Sequence, residues 1–105
     1  MKLALLALAA ALALPSVALA DVETDQSAGR CYTYLLVLGK KNAANLALSY
    51  ADRRDRALQF ARTEMNRATR MKEAGNWNAS SQRVWAIELD GVCRRVGIRP
   101  GDYRN

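Results

Sequence analysis

After Thr24, apolar residues recur along the chain at three- and four-residue spacing, the period of helices that bury one face. Ala28, Cys31, Leu35 and Leu38 predict a first helix over about Asp25 to Leu38, which Gly39 is placed to end in the left-handed conformation. Asn42 is the expected N-cap of a second helix running to about Ala74 and stopping at Gly75. Its core stripe reads Ala47, Tyr50, Ala51, Ala57, Leu58, Ala61, Met65 and Ala68. A third helix begins with Asn78 as cap and buries Trp85, Leu89, Val92, Cys93 and Val96. Gly97, Ile98 and Pro100 form its stop, and residues 99–105 are expected as a flexible C-terminal tail. The pattern predicts an all-α fold, a small three-helix bundle whose second helix is long and a candidate for a kink or split near Asp52–Arg56.

Residues 1–20 read differently. Lys2 is followed by an apolar run from Leu3 to Leu14, then Pro15 and a small-residue stretch ending in Ala18 and Ala20. This is the order of a signal peptide, with cleavage expected after Ala20. An apolar run of about a dozen residues falls short of the roughly 20 needed to span a bilayer. Secretion, with the bacterial periplasm as first choice, is therefore expected, followed by a single domain over 21–98. Lys2 is the only charged residue of the leader, so nearly all of the net charge of +6 belongs to the remaining chain.

The compartment changes how the two cysteines are read. In an oxidising space, Cys31 and Cys93 are expected to form a disulfide. A bridge closing a loop of this length contributes about 4 kcal/mol by the loop-entropy account, a useful staple for so short a chain. Three straight antiparallel helices strain that expectation, since they would leave the two cysteines offset by about 13 Å along the axis. Bridged Cα atoms approach within about 7 Å. A steep crossing or a bend in the polar run Asp52-Arg53-Arg54-Asp55-Arg56 is therefore required, and Asp52 is placed to cap a new helix there.

On a continuous second helix, Arg53, Arg56, Arg67 and Arg70 gather on one face with Phe60 between them, a candidate surface for a protein partner or an anion. Arg54 falls in the core stripe and is a candidate inward arginine. Arg94, Arg95, Arg99 and Arg104 cluster near the end of the third helix, where cations also suit the helix dipole. The chain has no histidine, the usual positioned base, and no C-x-x-C, so neither a catalytic set, a metal site nor a cofactor is implied. Glu64, Glu73 and Glu88 are spread out and expected to pair with arginines. The aromatics do not interleave with basic residues as a nucleic-acid platform would.

In general plan the chain resembles small periplasmic helical proteins stapled by one inter-helix disulfide, such as acid-stress chaperones and toxin-neutralising immunity proteins. The resemblance is one of architecture. The expectation is a non-catalytic protein acting by protein–protein interaction in the envelope, as inhibitor, immunity factor, chaperone or accessory subunit. The alternative is a basic binder of an anionic envelope polymer or of lipid head groups, favoured by its charge.

Overall fold

The computed structural model describes residues 22–103; the expected leader, residues 1–20, lies outside them. Among the described residues the chain forms four α-helices and no strand: α1 over 22–37, α2 (Lys41–Ser49), α3 (Arg54–Glu73) and α4 (Ala79–Arg95). A short 3-10 turn, Pro100–Asp102, follows. The expected long second helix is two helices, so the bundle has four members rather than three.

The break between α2 and α3 occupies residues 50–53, and its cause lies on another helix. The buried Asp25 carboxylate of α1 accepts the backbone N–H groups of Asp52 (2.7 Å) and Arg53 (3.0 Å) and the Arg56 Nε–H (2.6 Å). It thereby fixes the chain where α3 begins and lies at the positive end of that helix's dipole. Arg53 is the N-cap and makes no side-chain cap of its own, so the capping role expected for Asp52 is filled by Asp25 from α1.

Other boundaries follow local chemistry. At the end of α1, Gly39 adopts φ 78° and the Lys40 N–H reaches the Leu35 carbonyl at 2.8 Å, leaving Leu38 outside the helix. This turn delivers the chain straight into α2, with the Lys40 carbonyl accepting from Ala44; the cap is Lys40, and Asn42 lies in the first turn. Asn78 caps α4 as expected, in a capping box with Ser81.

α1 is the central helix. It runs parallel to α3, with Asp25, Gly29 and Thr33 meeting successive turns of that helix. Gly29 permits the approach: a Cβ there would lie 2.1 Å from the Ala57 carbonyl oxygen. The Thr33 hydroxyl donates to the Ala61 carbonyl at 2.8 Å in the same contact. On its other side α1 meets α4, where Cys31 and Cys93 form the expected disulfide with Cα atoms 4.9 Å apart. Splitting the second helix removes the offset that straight helices would impose.

The main core joins Cys31, Tyr34 and Leu35 of α1 to Ala43, Ala44 and Ala47 of α2 and to Trp85, Leu89, Val92 and Cys93 of α4. Tyr34 packs edge-on against Trp85 and Tyr103, with ring centroids 5.2 and 6.2 Å apart. Of the expected second-helix stripe, Ala47, Ala57, Ala61 and Ala68 are buried, whereas Tyr50 and Met65 are exposed. Residues 99–103 are not loose. The Ile98 N–H closes on the Cys93 carbonyl at 2.9 Å, Arg99 N–H on the Asp102 carboxylate at 2.8 Å, and Tyr103 is buried with its hydroxyl donating to Asp90. Residues 104 and 105 lie outside the described residues.

Candidate functional site

The alanine stripe of α3, Ala57, Ala61 and Ala68, carries one carboxylate at the same spacing. Glu64 lies between them and is 4% exposed. Its charge is met by Arg30 of α1 (Nε to Oε1, 3.3 Å) and by Arg67 of α3 (Nε to Oε2, 2.8 Å). Both arginines continue to Glu88 of α4, Arg67 at 3.5 Å and Arg30 through Nη2. Arg30, Glu64, Arg67 and Glu88 thus form a closed ring of alternating charge that ties three helices together.

The ring holds Glu88 ionised, and the cluster at the start of α3 holds Asp25 ionised. At Asp25, burial pushes the carboxyl up, but hydrogen bonds from Arg53, Arg56 and Asp52 outweigh it and hold it below its ordinary 3.8. At Glu88, burial again acts upward and is overcome by Arg30 and Arg67, so the carboxyl lies below its ordinary 4.5. A carboxylate held ionised by guanidinium partners is suited to tying helices and poorly suited to delivering a proton.

The structure disperses the expected arginine surface. Arg56 is turned onto Asp25 and Arg67 onto Glu64 and Glu88, so both guanidinium groups serve the fold. Arg53 pairs with Asp55 on the surface at 3.0 Å. Phe60 is half-buried beside Gly29, and Arg70 is exposed near Thr63, Asn66 and Thr69. Arg54 is exposed at the first residue of α3 and does not face inward. Of the three glutamates expected to pair with arginines, Glu64 and Glu88 do so, whereas Glu73 is exposed and forms no ion pair among the described residues. Asp25, Arg30 and the burial of Glu64 were not anticipated, although Glu64 shares the four-three-four spacing of Ala57, Ala61 and Ala68.

The outer face of α4 carries the two most exposed large apolar side chains among the described residues. Val84 is 63% and Ile87 67% exposed, more than any other large apolar side chain there. Val84 also lines a groove of about 280 Å³ between α3 and α4, together with Arg67, Met71, Ser81, Trp85 and Glu88. No group of three or more metal-ligating side chains is found among the described residues, and none of their helices is long and apolar enough to cross a membrane. Comparison with protein-family models, with curated proteins and with solved structures finds no match.

Proposed function

We propose that this protein is a non-catalytic interaction protein of the bacterial envelope, delivered by the leader at residues 1–20, that works by protein–protein contact through the outer face of α4. The observation that carries the reading is the pair Val84 and Ile87, presented to solvent on a helix held by a disulfide and an ion-pair ring. Rigid presentation lowers the ordering cost of association, and exposed apolar groups rimmed by polar ones mark contact surfaces. The anionic-surface alternative loses much of its motive, since Arg56 and Arg67 are committed to carboxylates.

The test is affinity capture from envelope extract with the wild-type protein and with Ile87→Lys. A stoichiometric partner held by the wild type and lost by the variant, with melting unchanged, is the expected result. Retention unaffected by Ile87→Lys, or no partner of any kind, would overturn the proposal.

A further inference from the structure

From the pattern on α4, we propose that the partner at this face is a second copy of the same chain, packed parallel and in register along α4. The inference rests on the interaction reading above and names its occupant. Ser80, Val84, Ile87 and Gly91 follow one another at spacings of four, three and four residues, the repeat of a two-helix seam. On a helix they fall within an arc of about 60°. That arc lies opposite the buried stripe of Trp85, Leu89, Val92 and Cys93.

Gly91 supplies a separate argument. It is an internal helical residue without a positive φ, and a Cβ added there would meet nothing within 4 Å. Nothing among the described residues thus calls for glycine where alanine is the better helix former. A neighbouring backbone seated against this face would, as Gly29 shows inside the chain against Ala57.

The flanking charges choose the occupant and its direction. Arg83 and Asp90 flank the seam on one side, and Glu88 and Arg95 on the other. In a parallel pair, each residue on the first flank meets the residue five positions further on the other copy. Arg83 then meets Glu88 and Asp90 meets Arg95, in both directions, so four contacts of opposite sign form at once. Glu88 and Asp90 also have partners within their own chain, and a carboxylate accepts several donors.

An antiparallel pair satisfies only half of this pattern. Matching Arg83 to Asp90 places the twofold axis between residues 86 and 87, whereas matching Glu88 to Arg95 places it between 91 and 92. These levels differ by about 7.5 Å, so one register excludes the other. Arg94, at the next seam position, ends the contact where two like charges would meet. With two large apolar layers the interface belongs to the small, reversible class.

Sedimentation equilibrium of the disulfide-bonded protein purified from its native compartment, over roughly 10 µM to 1 mM, reads the association directly. A reversible monomer–dimer equilibrium is expected, abolished by Ile87→Lys. The pair Arg83→Glu with Arg95→Glu leaves the apolar seam intact and should raise the dissociation constant about tenfold or more, since all four contacts become repulsive. Ser80→Cys should yield a covalent dimer on mild oxidation, because only the parallel register brings residue 80 against its own copy; Cys31 and Cys93 are buried and already bonded. A monomer throughout, a dimer indifferent to Ile87→Lys, or no crosslink at residue 80 would overturn the proposal. A monomer that still captures a different protein through Ile87 would overturn it and leave the broader interaction reading standing.

Discussion

Two glycines in helix interiors show how the same residue answers different demands. At Gly29 the neighbouring backbone of α3 occupies the space a Cβ would need, so Gly29→Ala is expected to destabilise by at least about 1–3 kcal/mol in urea unfolding. At Gly91 no described residue fills the space, and Gly91→Ala should stabilise the dilute protein by up to about 1 kcal/mol. Equal effects at the two positions would contradict the packing described. Asp25 is the other decisive residue. Its carboxyl is held below its ordinary value in the folded chain, so its stabilisation is present above about pH 4 and is lost as pH falls through the folded value. Asp25→Asn should cost about 2–3 kcal/mol at neutral pH and flatten that part of the acid dependence, as a series of urea titrations would show.

At the scale of elements, local signals were legible and long-range ones were not. Asn78 as a cap, Gly97 with Ile98 as a stop, and the α4 stripe are written in nearby residues, and each is found where its chemistry placed it, except that Val96 ends the stripe part-buried at the C-cap. The start of α3 is not written there, because the group that fixes it, Asp25, stands 27 residues before Asp52 in the sequence. The same holds for the arginines: a helical wheel assigns Arg56 and Arg67 to one face, but only the packing of α1 and α4 shows that carboxylates face them. Replacing Arg56 and Arg67 by glutamine should therefore lower the melting temperature, whereas Arg70→Gln should leave it nearly unchanged. Within the ring, Glu64→Gln should cost more than Glu88→Gln, since Glu64 is buried and Glu88 is 42% exposed. Thermal scans of these variants decide this, and a reversed order would contradict the ring's proposed role.

For the whole molecule, α1 organises the bundle, tied to α3 by Asp25 and Gly29 and to α4 by the disulfide. Cys31 and Cys93 are 62 residues apart in sequence, so reducing their bond should remove about 4 kcal/mol of stability on the loop-entropy account. If the leader directs secretion, intact-mass measurement of the native protein should find Asp21 as its first residue and no free thiol. Photo-crosslinking in living cells tests directly whether the bundle acts through the outer face of α4. A photoreactive residue at position 87 should give one discrete adduct, whereas the same residue at the exposed position 62 of α3 should give none. No adduct at 87, or the same adduct from both positions, would contradict the account.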